Sequence, residues 1–240
     1  MKYVKKSLGQ NFLIDLNIIK KIINLSEVFN KDILEIGPGK GALTDQILRN
    51  KPRSLTLIEK DTLLSNELKL KYAHDKSVKI YNKDILKFNL EGQLKKDTLI
   101  FGNLPYNISS QILIKLIKFK KWPPKYSGLI LMFQKEMAER IIGKFGTSKY
   151  GRLSIITNFR LNILNKFNIS PNCFFPKPKI NSTVIFFKPH NKIYNIKDIE
   201  NLEKVTNIFF SNKRKMINKN VNKIFKNFKN LELIKNLNLK

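Results

Sequence analysis

The chain has 240 residues, of which 46 are Lys or Arg and 18 are Asp or Glu, so its formal charge is +28. A hydrophobic content of 42% excludes a wholly disordered chain, and no run of about 18 apolar residues is present to span a membrane. One cysteine, Cys173, and two histidines exclude a disulfide framework and argue against a bound metal. The N-terminal sequence lacks the apolar core of a signal peptide, so we expect a reduced, cytoplasmic setting.

The excess of basic residues favours a polyanionic partner, with nucleic acid as the first candidate and an anionic membrane surface as the second. The alternative is a solvated surface whose lysines reflect compositional bias. Basic residues concentrate before the first predicted helix, around Trp122 and near the end of the chain. In the last group we expect four residues to contact nucleic-acid phosphates: Lys213, Arg214, Lys215 and Lys219.

Along the first part of the chain, short apolar runs alternate with segments of helical spacing. The predicted strands, in chain order, are 32–37, 54–59, 78–84, 97–105 and 127–133. Helices are predicted after the first, second, fourth and fifth of these strands. This alternation predicts an α/β fold in which helices cover both faces of a mainly parallel sheet.

The last part of the chain departs from this alternation. Strands are predicted at 162–169 and 182–187 without a long helix between them, so we expect an antiparallel pair at one edge of the sheet. From about Lys192 the pattern is only helical. We therefore expect an α/β domain over residues 1–190 and a small helical domain over 191–240.

The turn after the first strand has the spacing E-x-G-x-G-x-G, formed by Glu35, Gly37, Gly39 and Gly41. Glycines there allow positive φ angles and a close approach to a ligand, and the following helix N-terminus favours polar or anionic groups. Glu59 ends the second strand, where a carboxylate can accept from both hydroxyls of an adenosine ribose. The spacing favours S-adenosylmethionine (SAM) over a dinucleotide, and a plain tight turn is the alternative.

Polar residues also follow the third and fourth strands, at the sheet edge where ligands bind in open parallel sheets. After the fourth strand stands Asn103-Leu104-Pro105-Tyr106. The Asn103 side-chain oxygen and the Leu104 carbonyl can accept from an exocyclic amino group, and Tyr106 can stack on a base extruded from its helix. A proline turn with a core tyrosine is the alternative. Asp84, after the third strand, could accept from the adenine of a cofactor or cap a helix.

These motifs resemble those of the amino-methyltransferases that act on adenine. Four further segments resemble one branch, the ribosomal RNA adenine dimethyltransferases, KsgA-type in bacteria: KKSLGQNFL (5–13), YGRLSI (150–155), FFPKPKINSTV (174–184) and FFSNKRKMINKNV (209–221). The resemblance implies a Rossmann-like, SAM-dependent methyltransferase fold with a small helical C-terminal domain. It also implies N6,N6-dimethylation of adenines, two adjacent ones, in small-subunit ribosomal RNA during ribosome assembly.

Carried over by matching position, the resemblance implies two sets of site residues. The catalytic set is Asn103, Leu104, Pro105, Tyr106 and Phe174. The SAM-binding set is Asn11, Leu13, Gly37, Gly39, Gly41, Glu59, Asp84 and Asn103, in which Asn11 and Leu13 match the cofactor-contacting lid of the family. For Phe174, the first residue of the F-x-P-x-P-K segment, the alternative is a buried aromatic.

The resemblance also implies a partner, namely small-subunit ribosomal RNA or an immature small subunit, and we expect a monomer with no membrane association. The family usually extends its C-terminal domain beyond the point where this sequence ends, LELIKNLNLK, so we expect a truncated docking domain. Three alternatives stay open. They are a resistance-type methyltransferase of large-subunit ribosomal RNA, a non-catalytic RNA-binding assembly factor and, last, a dinucleotide oxidoreductase.

Overall fold

A computed structural model describes residues 10–190 and 199–210. Its strands, in chain order, are β1 (Phe12–Leu13), β2 (Asp32–Ile36), β3 (Ser54–Glu59), β4 (Val78–Asn82), β5 (Thr98–Asn103), β6 (Tyr126–Gln134), β7 (Leu161–Ile169), β8 (Phe174–Phe175) and β9 (Ser182–Pro189). Its helices are α1 (Leu16–Ile23), α2 (Ala42–Arg49), α3 (Thr62–Lys71), α4 (Leu90–Gln93), α5 (Ser109–Ile117), α6 (Lys135–Ile141), α7 (Arg152–Arg160) and α8 (Ile199–Phe210).

Seven strands form one sheet in the order β4-β3-β2-β5-β6-β9-β7. The strands from β4 to β6 in this order are parallel, whereas β9 is antiparallel to both of its neighbours. All strands predicted for the sheet are therefore present, and the antiparallel edge is confirmed. The interior strand β2 is buried along its whole length, and its apolar residues Ile33, Leu34 and Ile36 lie on both faces of the sheet.

Two hydrophobic clusters lie on opposite faces of this sheet. Successive strand residues point to opposite faces, so Leu34 contacts the cluster beneath α5 whereas Ile33 contacts the cluster beneath α1 and α2. Ile112 of α5 and Ile19 of α1 are fully buried in these respective clusters. Helices thus cover both faces, and the α/β fold class predicted from the sequence is confirmed.

Several features of the fold, among them the short helix α4, were not predicted from the sequence. The helix α7 precedes β7, and the short strands β1 and β8 pair antiparallel, with Phe12 opposite Phe175 and Leu13 opposite Phe174. The Ile14 N–H extends this pairing by donating to the Cys173 carbonyl at 2.9 Å. The pairing fixes the segment that precedes α1 against a segment about 160 residues later in the chain.

The helix α8 confirms the helical pattern after residue 198 and packs on the α/β domain. Its Glu203 accepts from Arg152 at 2.6 Å and from Lys118 at 2.9 Å. Lys115 donates to the Leu86 carbonyl at 2.8 Å, so two lysines of the basic group around Trp122 are engaged within the fold. The division into domains at residue 190 stays a prediction.

The second helical stretch predicted for the C-terminal domain lies outside the described residues. The same holds for the four residues expected at nucleic-acid phosphates: Lys213, Arg214, Lys215 and Lys219. Within the two described ranges, none of the helices is long and apolar enough to cross a membrane.

Candidate active site

The carboxyl ends of the parallel strands open into a cavity of about 170 Å³. The topology explains its position, since β2, β3 and β5 are adjacent and each ends in one of the predicted ligand-binding motifs. The predicted site residues that line this cavity are Asn11, Leu13, Gly37, Gly39, Glu59, Asp84, Asn103, Leu104, Pro105 and Tyr106. The fold therefore brings together residues that are distant in sequence.

The glycine turn between β2 and α2 contributes backbone to the cavity. Gly39 has a φ of +59°, and a Cβ added to it would lie 2.8 Å from the Phe12 ring, so only glycine fits beneath that ring. Gly41 lies against a different residue. A Cβ added to it would lie 2.5 Å from the hydroxyl oxygen of Tyr72. Gly41 thus accommodates the packing of Tyr72 beside α2, and its expected contact with the cofactor stays a prediction.

Glu59 connects the glycine turn to the end of β3. Its carboxylate is 7% exposed and accepts from the Gly39 N–H at 3.1 Å and the Asp61 N–H at 2.8 Å. Burial raises the pKa of Glu59, while these two backbone donors counteract that effect. The two donors fix the carboxylate at the cavity, where its remaining lone pairs can accept from ligand hydroxyls.

Asp84 makes two contacts within the protein, and the segment that follows it is a turn and not the expected helix. One carboxylate oxygen accepts from the Leu86 N–H at 2.9 Å and so caps the turn after β4. The other forms an ion pair with Lys60 at 2.9 Å, and this contact lowers the pKa of Asp84. Asp84 also lines the cavity, so its predicted contact with the cofactor adenine is sterically accessible.

Glu35 is a second buried acid at the cavity, and the sequence placed it in the motif without a role. It is 1% exposed and accepts from the Thr44 hydroxyl at 2.7 Å. Burial raises its pKa to about 8. A buried acid that changes charge near neutral pH responds strongly to a charged ligand.

Asn103 ends β5 with its side-chain orientation fixed. Its Nδ2 donates to the main-chain carbonyl of Asn11 at 2.9 Å. The reverse orientation would place two oxygens against each other, so this contact determines which amide atom remains for a ligand. Oδ1 is left as an acceptor at the edge of the cavity.

Tyr106 is held at its hydroxyl. The hydroxyl lies 2.6 Å from Oγ of Ser182, which is fully buried at the start of β9. Burial raises the pKa of Tyr106, so the phenol stays protonated. Sequence reasoning did not single out Ser182, because only the fold brings β9 beside the turn after β5.

The N-terminal lid, residues 10–13, lies across the glycine turn. Phe12 packs against Gly39, and Gln10 donates to Asp61 at 3.1 Å. Phe174 pairs with Leu13 but is only 3% exposed and belongs to the hydrophobic core. This placement agrees with the buried-aromatic alternative, and the structure does not bring Phe174 to the cavity; its role at the target base stays a prediction.

Within the described ranges, no group of three or more His, Cys, Asp or Glu side chains could hold a metal ion. The polar side chains that line the cavity include the carboxylates of Glu35, Glu59 and Asp84, the amine of Lys60 and the oriented amide of Asn103. Such a set suits a ligand that carries hydroxyl, amino and cationic groups.

The sequence matches the family model described as ribosomal RNA adenine dimethylase over residues 1–240. It is 48% identical to ribosomal RNA small subunit methyltransferase A of Pelagibacter ubique (strain HTCC1062), covering 94% of this chain and 85% of that protein. It is 42% identical to the protein of the same name from Malacoplasma penetrans (strain HF-2), covering 93% and 79%.

Solved structures agree with this family match. A dimethyladenosine transferase from Plasmodium falciparum superposes with a TM-score of 0.74 at 30% identity, covering 87% of this chain and 74% of that one. The 23S rRNA methyltransferase ErmE superposes with a TM-score of 0.68 at 23% identity over 88% and 84%, and at this identity it supports the fold alone. The resemblance drawn from the motifs is confirmed: this chain belongs to the ribosomal RNA adenine dimethylase family of SAM-dependent methyltransferases.

Proposed function

We propose that this protein transfers methyl groups from SAM to the exocyclic N6 of adenines in small-subunit ribosomal RNA, twice on each of two adjacent bases. The observation that carries the proposal is the orientation of Asn103, whose amide leaves Oδ1 as an acceptor at the cavity edge. The two relatives named for methylation of the small ribosomal subunit support the choice of RNA.

The residues of the cavity fit SAM. Gly37 and Gly39 allow the backbone to approach a ligand, and Glu59 is placed to accept from ribose hydroxyls. Asp84 is accessible for the adenine amino group, and Glu35 supplies a buried carboxyl for a cationic ligand. When bound, SAM supplies a methyl group on a positively charged sulfur.

The chain's own contribution to the reaction is to prepare the nucleophile. The exocyclic nitrogen of adenine is weakly nucleophilic because its lone pair delocalises into the ring. Asn103 Oδ1 and the Leu104 carbonyl, placed by Pro105, accept the two amino hydrogens and favour a more tetrahedral nitrogen. The nitrogen becomes acidic once methylated and then loses its proton, so no strong base is required. Positioning and preorganised acceptors account for the catalysis.

Tyr106 holds the target base by stacking. The contact with Ser182 fixes its ring beside Asn103, and base–aromatic stacking contributes about 1–3 kcal/mol. Stacking does not depend on the number of amino hydrogens, so a monomethylated base is held as well as an unmodified one. This tolerance permits the second methyl transfer.

Binding of the remaining RNA is assigned to the basic residues near the end of the chain. Lys213, Arg214, Lys215 and Lys219 contact phosphates, and the charge of +28 supports a polyanionic partner. The protein acts as a cytoplasmic monomer on small-subunit RNA, free or within an immature subunit. The resistance-type alternative is less favoured, because relatives with 48% and 42% identity bear small-subunit names.

Nucleoside mass spectrometry of small-subunit ribosomal RNA tests this proposal. Cells that lack the protein should lose adjacent N6,N6-dimethyladenosines, and the wild-type protein should restore them. The Asn103→Ala variant, expressed at the same level, should not restore them. An unchanged dimethyladenosine content in the deletion strain would refute the proposed function, and restoration by Asn103→Ala would refute the assigned active site.

A further inference from the structure

The connection between α6 and α7 presents a phenylalanine to solvent. Phe145 is 87% exposed, more than any other large hydrophobic side chain in the described ranges. Single exposed apolar residues are common on protein surfaces, so exposure alone assigns no role. Hydrogen bonds within its loop and the charged and aromatic residues around it distinguish Phe145 from other exposed apolar residues.

The loop that carries Phe145, residues 143–150, is tied together by its own backbone. At its base, a Cβ added to Gly143 would lie 2.5 Å from the Lys149 carbonyl oxygen, so the two ends of the loop are in contact. The Thr147 N–H and hydroxyl both donate to the Lys144 carbonyl, at 3.1 and 2.7 Å. The Tyr150 N–H donates to the Thr147 carbonyl at 3.1 Å. The loop therefore presents Phe145 in a preorganised position.

Aromatic contacts connect this loop to α8. The ring centroids of Phe145 and Tyr150 are 5.7 Å apart with the planes nearly perpendicular, and those of Tyr150 and Phe210 are 6.2 Å apart. Because Tyr150 contacts the Phe145 ring in an edge-to-face arrangement, most of that ring stays accessible. Phe210 precedes Lys213 by three residues in the sequence, so Phe145 is linked to the element that leads into the basic segment.

The charge around Phe145 suits a polyanion. The stretch 143–152 contains Lys144, Lys149 and Arg152 and no acidic residue. Lys149 pairs with Glu139 at 3.1 Å, and Arg152 pairs with Glu203, whereas Lys144 is exposed immediately next to Phe145. An aromatic ring beside an exposed lysine is a combination that binds single-stranded nucleic acid, with a base on the ring and a phosphate at the cation.

We propose that Phe145 stacks on an unpaired base of the substrate RNA outside the target-base pocket, while Lys144 contacts an adjacent phosphate. This inference rests on the proposed RNA substrate and adds a second point of base contact to it. Stacking tolerates any base, so the contact recognises an accessible unpaired nucleotide and not a particular sequence.

The test compares Phe145→Ala with Phe29→Ala, a matched control. Phe29 is also exposed, at 61%, but lies between α1 and β2, at the edge of the sheet opposite the cavity. The measurement is the dissociation constant for naked, under-methylated small-subunit RNA over a range of salt concentrations. Phe145→Ala should weaken binding about 5- to 100-fold with an unchanged salt slope, as expected for one lost base stack. Phe145→Trp and Phe29→Ala should bind like the wild type.

Lys144→Gln should instead reduce the salt slope, by about 0.7 log units if the contacted strand is single. Equal RNA affinities for Phe145→Ala and Phe29→Ala would overturn the inference. A loss of affinity accompanied by a lower melting temperature would also overturn it, because it would show a structural role for the ring. A defect seen only with subunit particles would assign Phe145 to a ribosomal protein instead. Failure of the wild-type protein to methylate both this RNA and under-methylated small subunits would refute the proposed function, which is a separate outcome.

Discussion

The Tyr106 hydroxyl lies 2.6 Å from Oγ of Ser182, which joins the turn after β5 to the first residue of β9. Ser182 is fully buried, and β9 is the strand that runs antiparallel between β6 and β7. The antiparallel edge of the sheet therefore fixes the aromatic ring on which the target base is proposed to stack. The ring is therefore oriented by a contact within the protein.

Substitutions at Tyr106 and Ser182 distinguish the contribution of the tyrosine ring from that of its hydroxyl. Tyr106→Ala should lower the single-turnover methylation rate by about 5- to 100-fold, because the stacking surface is lost. Tyr106→Phe and Ser182→Ala should each lower it only a few-fold, since the ring remains. The double variant Tyr106→Phe/Ser182→Ala should be no slower than the slower single variant, because both changes remove the same contact. Additive losses in single-turnover assays would show that the two residues act independently.

Glu35 should make SAM binding depend on pH. Burial raises its pKa to about 8, so the carboxyl is mostly protonated at pH 7 when no ligand is bound. A cationic ligand favours the carboxylate, so binding should release a proton, and SAM affinity should increase as the pH rises from about 6.5 to 8.5. Calorimetry in buffers of different ionisation enthalpy measures the released proton.

Glu35→Gln is the control for this prediction, because the amide oxygen can still accept from the Thr44 hydroxyl. Its SAM affinity should change less with pH than that of the wild type, with any remaining dependence due to the ligand itself. Identical pH profiles for the two proteins would exclude Glu35 as the titrating group.

Asp32 should stabilise the fold through its charge. Its carboxylate is 4% exposed, accepts from Arg53 and Ser54, and lies 3.2 Å from Lys95 Nζ. The Arg53 contact holds the pKa of Asp32 well below its ordinary range. A lowered folded-state pKa gives stability that is complete above the unfolded pKa of about 4 and is lost as the pH falls below it.

Asp32→Asn should therefore reduce the free energy of unfolding at pH 7 by about 1–3 kcal/mol, the usual cost of unpairing a buried polar group. Denaturant unfolding at several pH values measures this difference, which should shrink below about pH 4. Glu67→Gln, on the exposed face of α3, should change stability by less than about 0.5 kcal/mol. Equal effects of the two substitutions would contradict the role of Asp32.

The interior strands β5 and β6 were predictable because strands buried on both faces are nearly continuous apolar runs in the sequence. The predicted strand at 54–59 coincides with β3, and the helix after Gly41 coincides with α2. The helix α7 was missed because Ile155, Ile156 and Thr157 are β-branched, which obscures its helical pattern. The β1–β8 pair was missed because two-residue strands have no periodicity.

The candidate site was predictable as a set of motifs but not as a set of contacts. Asn103 and Glu59 were identified from their positions after strands, and both line the cavity. The Asn11 carbonyl that orients Asn103 is a main-chain group, so the side-chain identity at that position does not reveal it. Gly41 fitted the glycine spacing, yet its contact with Tyr72 depends on how α3 packs beside α2.

The central claim is that Asn103, oriented by the lid, activates the adenine amino group. The most direct measurement is single-turnover transfer of labelled methyl from SAM to under-methylated small subunits, with RNA affinity measured in parallel. Asn103→Ala should lower the transfer rate on the order of 100-fold or more. It should leave RNA affinity nearly unchanged, because phosphate contacts elsewhere supply most of that affinity. Transfer at the wild-type rate by Asn103→Ala would contradict the account and place the catalytic acceptor elsewhere.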